Sequence, residues 1–298
     1  MGITPNIEVI LPHTESLIPT ILSRRSVRSF EQKLFSGEDQ VRVAQILKSI
    51  KPLFPENQFD ILLKTRDKNQ NLVEILGAYG HIISPPYYSV PSIIGDKNLL
   101  VDLGFRMQQI AVHLWAAGIG SCFIGCLSRE SKVHQLFNLP TNSRIAAFLV
   151  FGYPRKVIGV QSLVEVGKFI KGKSGRKKLE EMFFNGDFDH PGLPPESWKS
   201  IIECGRMSPS AVNAQPWRFL LREGKLILFI NRKPRQFLLP ENDDYCFHDG
   251  GICMANMFMA ASSLGINSKW ELVDQESEIT IPPHLEFLLP LAKLTIKK

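Results

Sequence analysis

The 298-residue chain has no apolar run of about 18 residues, the length a membrane-spanning helix requires, so no such helix is expected. Met1–Pro12 lacks a charged segment followed by an apolar one, so no secretory signal is expected either. Gly2 is followed by Asn6 where a myristoylation motif wants Ser or Thr. Low-complexity tracts are absent, which excludes collagen-like and disordered classes. No Cys-x-x-Cys occurs, and no Cys/His cluster has zinc spacing. The five cysteines, Cys122, Cys126, Cys204, Cys246 and Cys253, are odd in number. A disulfide framework and a metal site are therefore not expected; buried, reduced thiols in a cytoplasm are.

The positive excess is small and local. The net charge is +6. Six basic residues, Lys168, Lys171, Lys173, Arg176, Lys177 and Lys178, account for all of it, leaving 29 charges of each sign elsewhere. Such a stretch suits a solvated loop, a phosphate grip or a nucleic-acid contact. Only Phe169 interleaves with the basic residues, whereas nucleic-acid binding wants several aromatics, so no nucleic-acid partner is expected. What remains is a chain 44% apolar and 21% charged, with room for a sizeable core in one or two domains.

The chain repeats itself. Asp102–Ser121 and Asp249–Ser268 share six of 20 residues at a constant offset of 147: Asp102/Asp249, Gly104/Gly251, Met107/Met254, Gly118/Gly265, Ile119/Ile266 and Ser121/Ser268. Both carry helical stripes, Leu103, Met107, Ile110 and Leu114 in one, Met254, Met257, Phe258 and Ala261 in the other. Each opens on an Asp suited to a helix start and closes on a Gly suited to a C-cap. Each is apolar most of the way round, as a buried central helix is. The repeat extends weakly upstream. Asp60–Lys64 matches Arg218–Arg222 as a short strand. Gln40–Ile50 follows a capping box at Ser36 and Asp39, and Trp198–Cys204 follows Pro194-Pro195. Tyr87–Ile94 and Ile145–Phe151 read as strands, Glu130–Phe137 as a helix, and Trp217–Leu221 with Lys225–Ile230 as a hairpin. The expected class is α+β: two mainly antiparallel sheets packed with helices, the long helices central.

Three segments can carry chemistry. Ser23-Arg24-Arg25-Ser26-Val27-Arg28-Ser29-Phe30 places three forked donors and a hydroxyl where they can surround a phosphate, or form a basic surface turn. Met207-Ser208-Pro209-Ser210-Ala211-Val212-Asn213-Ala214-Gln215-Pro216-Trp217 joins a helix to a strand and offers small hydroxyls and amides to a flat polar ligand. Gly118-Ile119-Gly120-Ser121-Cys122-Phe123-Ile124-Gly125-Cys126 allows close backbone approach, or is a helix C-cap and a turn. It follows a helix, so it is not a dinucleotide fingerprint.

Together these residues resemble the FMN-dependent nitroreductase family. Arg24–Phe30 is similar to that family's opening flavin-phosphate motif, and Ser208-Pro-Ser-x-x-Asn-x-Gln-Pro-Trp217 to its most recognisable segment. Asp102–Gly120 resembles its central helix, Ile145–Pro154 the strand that follows, and Gly175–Glu181 its late basic motif. Members are usually intertwined homodimers with FMN at the interface. Here the first motif occurs only early and the second only late. At the equivalent of the second motif stand Ile50-Lys51-Pro52 for Ser-Pro-Ser and Pro55 for Asn. The chain thus resembles the subgroup in which one chain carries both halves, an internal pseudo-dimer with one flavin site kept and one lost.

The resemblance implies a first half at 1–166, a basic linker at 167–192 and a second half at 193–298, in a monomer. It implies one FMN, bound by Arg24, Arg25, Ser26, Arg28, Arg176 and Lys177, by Ser208, Pro209, Ser210 and Asn213 from the second half, and by Gly125 and Cys126 facing flavin N5. Cys126 stands where the family has Gly. NAD(P)H would be the reductant and a nitroaromatic or quinone the small-molecule acceptor, with no catalytic side chain implied because flavin carries the chemistry. Alternatives on the same fold are a flavin sensor or store without turnover, dehalogenation, and flavin destruction.

Overall fold

A computed structural model of the chain describes residues 16–67, 69–155, 175–232, 245–273 and 279–297. Its α-helices there are α1 (Ile18–Ser23), α2 (Gly37–Ser49), α3 (Leu72–Leu76), α4 (Leu99–Ala116), α5 (Glu130–Phe137), α6 (Glu196–Arg206) and α7 (Tyr245–Ser263). Its strands are β1 (Gln58–Thr65), β2 (Tyr87–Ile94), β3 (Gly120–Gly125), β4 (Ala147–Gly152), β5 (Phe183–Asn185), β6 (Trp217–Arg222), β7 (Lys225–Asn231), β8 (Asn267–Leu272) and β9 (Leu288–Lys297).

The strands form two sheets, β1-β2-β4-β3 and β5-β6-β7-β9-β8. The first is antiparallel throughout; the second is antiparallel except that β5 runs parallel to β6. Leaving β5 aside, the two orders are the same. The offset of 147 that relates the long helices also carries β3 onto β8, end to end. The repeat is therefore one of topology as well as of sequence, and the α+β class with long central helices is what the chain adopts. Phe183–Asn185 makes the segment before Gly192 more than a connector, because it supplies the strand at the edge of the second sheet. Lys168, Lys171 and Lys173 lie outside the described residues.

Local chemistry explains the elements. Ser36 Oγ accepts from Asp39 N at 3.1 Å and caps α2, whose first turn carries Glu38 and Asp39 against the positive helix end. Its buried residues, Val43 and Ile46, are three apart, on one face. Pro195 precedes α6, which buries Trp198, Ile201, Ile202, Cys204 and Gly205. β6 and β7 are joined by Glu223 and Gly224, both at positive φ (52° and 72°), the backbone a two-residue hairpin of this twist demands.

The long helices start earlier than their aspartates suggest. α4 begins at Leu99 and α7 at Tyr245, so Asp102 sits in the first turn and Asp249 just past it, both buried, rather than at the caps. Their carboxylates point to long-range partners instead. The C-terminal ends do match expectation: Gly118 and Gly265 follow the helices at φ +74° and +69°.

α4 and α7 meet at glycines. A Cβ on Gly104 would collide with His248 O and stand 3.2 Å from Ile252 N; one on Gly251 would collide with Val101 O and stand 3.0 Å from Phe105 N. Val101/His248 and Phe105/Ile252 are each 147 apart. The crossing is thus reciprocal, each helix meeting the other with the same positions, as across a two-fold axis. Around it lie two cores. α4, α2 and one face of the first sheet bury Met107, Ile110 and Leu149; α7, α6 and the second sheet bury Trp217, Phe219 and Met254.

Candidate functional site

The Arg-rich segment follows α1. Its backbone lies beside β3: Val27 N donates to Ser121 O at 2.9 Å, and Ser26 bridges Ser121. This sets Arg24 and Arg28 against Cys122. Arg24 is 5% exposed, and no carboxylate among the described residues pairs with it. Burial, with the positive charges of Arg176 and Arg28 adding to it and Cys122 opposing, brings its guanidinium down to about 10. Arg28 and Ser26 are half-buried, Arg25 is exposed, and the Ser26 hydroxyl hydrogen-bonds with the Cys122 thiol. Three arginines from two distant segments therefore converge on one place, and among the described residues no protein anion balances them. Isolated buried charges are costly, so this arrangement is suited to an incoming anion.

Arg176 ties this place to the second half. Its guanidinium donates to Ser208 O at 2.6 Å, to Met207 O at 2.9 Å and to Asn213 Oδ1 at 3.4 Å. Burial lowers its pKa, with Arg206 adding to the effect. Lys177 N donates to Gln215 Oε1 at 2.8 Å, and Gln215 Nε2 and Asn213 Nδ2 both donate to Gly175 O at 3.1 Å. Gln215 is thus a clasp between the basic segment and the loop, a role its place in the motif did not reveal.

The loop itself is strained and pinned. Val212, Asn213 and Gln215 hold φ of 47°, 54° and 49°, left-handed values that non-glycine residues adopt at a cost. Asp249 accepts from Ala211 N with both oxygens at 3.1 Å, Ser210 Oγ accepts from Gln215 N at 2.9 Å, and Asn256 Nδ2 donates to Ser208 Oγ at 2.9 Å and Cys204 O at 3.0 Å. Ser208 is fully buried, and Pro209 is half-buried. The Ser208 and Ser210 hydroxyls and the Asn213 amide are therefore engaged in shaping the loop. Asn256 could have been found from the repeat, because Gln109 stands 147 residues before it and also holds the loop of its own half, there through the Lys51 main chain.

The third segment is a C-cap followed by β3. Gly125 is exposed at the strand's end, and Cys126 is buried. All five cysteines are buried, and none is in a disulfide. Burial raises the thiols of Cys122, Cys126, Cys204 and Cys253, Cys204 to about 12, so they stay protonated. Among the described residues no group of three His, Cys, Asp or Glu could hold a metal, and no helix is long and apolar enough to cross a membrane.

The family model described as "Putative TM nitroreductase" matches residues 16–238, a span that includes both arginine segments and the strained loop. The chain belongs to this nitroreductase family. A "Putative NAD(P)H nitroreductase" of Haemophilus influenzae is 40% identical over 56 residues, 19% of this chain; the chain spans about a quarter of the length of this curated relative. The crystal structure of a "putative nitroreductase" from Thermotoga maritima MSB8 matches over 99% of this chain and 100% of its own, at 18% identity and a TM-score of 0.57, a likeness of fold. An NADPH:FMN oxidoreductase from Vibrio harveyi matches 52% of this nitroreductase-family chain and 83% of its own, at 19% identity and a TM-score of 0.41.

Proposed function

We propose that this protein is an FMN-dependent oxidoreductase that passes reducing equivalents from NAD(P)H to a small oxidised acceptor such as a nitroaromatic or quinone, at one composite site. One observation carries the reading: Arg24, buried and with no carboxylate partner among the described residues, converges with Arg28 and Arg176. These fit a phosphate, whose oxygens accept forked guanidinium donors and supply the missing negative charge. Membership of the nitroreductase family and the NAD(P)H nitroreductase relative support the redox chemistry.

When bound, FMN supplies reversible two-electron chemistry between the reductant and the acceptor. The chain's own residues bind and orient. Arg24 and Arg28 hold the phosphate from the first half, and Arg176 sits between them and the second half's loop. The left-handed bend at Val212–Gln215, pinned by Asp249 and Asn256, gives that loop one fixed shape before a ligand arrives, so little ordering entropy is lost on binding. Gly125 presents an exposed backbone. The protonated cysteines take no part. The site draws on both halves, so one FMN per chain is expected and a monomer is sufficient.

The test is a flavin count. Purified protein, saturated with FMN and freed of excess, should hold one flavin per chain by visible absorbance and should oxidise NAD(P)H when an acceptor is added. Arg24→Ala should weaken FMN by about 1.5–3 kcal/mol, the worth of a charge-assisted hydrogen bond. Two flavins per chain, or an unchanged affinity in Arg24→Ala, would overturn the single-site assignment. Bound flavin without NAD(P)H oxidation would favour a sensor or store.

A further inference from the structure

The second half reaches the first at another point, through a residue outside every motif. Tyr245 is the first residue of α7. Its Oη accepts from Leu127 N at 3.0 Å, just past β3. Its ring end lies over Gly125: a Cβ there would stand 2.5 Å from Oη and 2.7 Å from Cζ. Glycine at 125 is thus required by the tyrosine. A phenol can accept and donate at once. Leu127 takes the acceptor side, and among the described residues nothing takes the hydrogen. Burial and neighbouring acidic groups hold the phenol well above the usual tyrosine range, so that hydrogen stays in place. Asn98, the position 147 residues earlier, precedes α4 and caps nothing with its side chain, so the feature belongs to one half alone.

We propose that Tyr245 donates its phenolic hydrogen bond to the edge of the flavin ring at Gly125 and Cys126, and that this bond strengthens as the edge gains electron density, favouring the reduced cofactor. The inference rests on the flavin reading above. It makes Tyr245 a residue that sets redox bias as well as one that joins the halves.

The experiment compares full-length wild type and Tyr245→Phe for affinity toward oxidised and reduced FMN. The variant should lose about tenfold more affinity for the reduced form than for the oxidised form, a net hydrogen bond's worth. For a two-electron couple that lowers the midpoint potential by about 30 mV. A tyrosine that merely props Leu127 would lower the melting temperature and both affinities alike, with no change in potential. Placing 3-fluorotyrosine at 245 keeps the shape and the Leu127 bond but makes a stronger donor, so the potential should rise; this arm serves even if the phenylalanine variant folds poorly. An unchanged potential in both variants overturns the proposal, as does tighter FMN binding by Tyr245→Ala, which would mean that the ring occupies the flavin's place. If wild type binds no FMN, the flavin reading falls and takes this one with it; bound FMN at an unmoved potential sinks Tyr245 alone.

Discussion

Two loops hang from the two central helices by equivalent bonds. In the first half Asp102 accepts from Leu53 N at 2.9 Å; in the second Asp249 accepts from Ala211 N. Leu53 and Ala211 are 158 residues apart, the spacing that sets Ile50-Lys51-Pro52 against Ser208-Pro209-Ser210. What differs is the arginine beside each. Arg106, one turn along α4, pairs with Asp102 at 3.0 Å, donates to Phe54 O and Asn57 O, and lies over the Phe59 ring. It closes the first loop from within. At its equivalent in α7 stands Cys253, and the second loop's carbonyls are taken by Arg176, which approaches beside Arg24 and Arg28. One scaffold thus supports a self-satisfied turn on one side and, on the other, a cluster of cations that no anion among the described residues balances. Duplication keeps the helix and its anchor; the source of one guanidinium separates structure from site.

The sharpest way to break this comparison is to remove both anchors. Asp102→Ala strands the buried Arg106 and should cost about 3–5 kcal/mol in urea denaturation, with FMN affinity unchanged in the folded fraction. Asp249→Ala removes the acceptor for Ala211 N, should cost about 1–3 kcal/mol, and should weaken FMN because the loop loses its fixed bend. Equal effects of both variants on FMN would refute the division of labour.

The helix crossing provides a control where the halves should behave alike. Gly104→Ala and Gly251→Ala each drive a methyl into a carbonyl oxygen of the facing helix. Each should lose on the order of 2–3 kcal/mol by chemical denaturation. A gap between them much wider than about 1 kcal/mol would show that the crossing is not symmetric in energy.

The smallest expected effect near neutral pH concerns His248, which stands where the first half has Val101. Burial pulls its pKa to about 4, and the ring packs edge-on to Phe123 at 5.7 Å between centroids. The folded state therefore disfavours a proton that the unfolded chain binds below about pH 6.5. Stability should be at its fullest above that pH and decline as pH falls toward 4. His248→Val should flatten this decline by about 3 kcal/mol at most near pH 4, with little change at pH 8, as read from denaturation midpoints across pH. An unaltered acid slope would remove His248 as its source.

Much of this was legible in the residues. The β-rich run after Pro85-Pro86 located Tyr87–Ile94 to the residue, the short helix expected at Glu130–Phe137 has those bounds, and the constant offset of 147 announced a repeat that the strand orders repeat in turn. The flavin-like motifs were visible because each is contiguous. Asp102 and Asp249 misled as helix starts: an aspartate near a helix beginning looks the same whether it caps its own backbone or holds an amide from another segment. Gln215 as a clasp and Tyr245 as a cross-half contact left no local trace, since their partners lie 38 and 118 residues away.

By itself the sequence determined where the two long helices and strands such as Tyr87–Ile94 and Trp217–Leu221 lie, that the chain contains two related units, and that one carries the arginine motif and the other the polar loop. These follow from patterns that repeat within a turn, a pleat or a fixed offset. Only the tertiary structure decided that Gly104 and Gly251 face each other's carbonyls, that Arg24 is buried beside Arg28 and Arg176, and that a tyrosine covers Gly125. Such facts depend on which distant backbone atoms close packing brings together. A side chain's loss of water, and with it the energy of its charge, is set by those neighbours and not by the residues next to it in the chain.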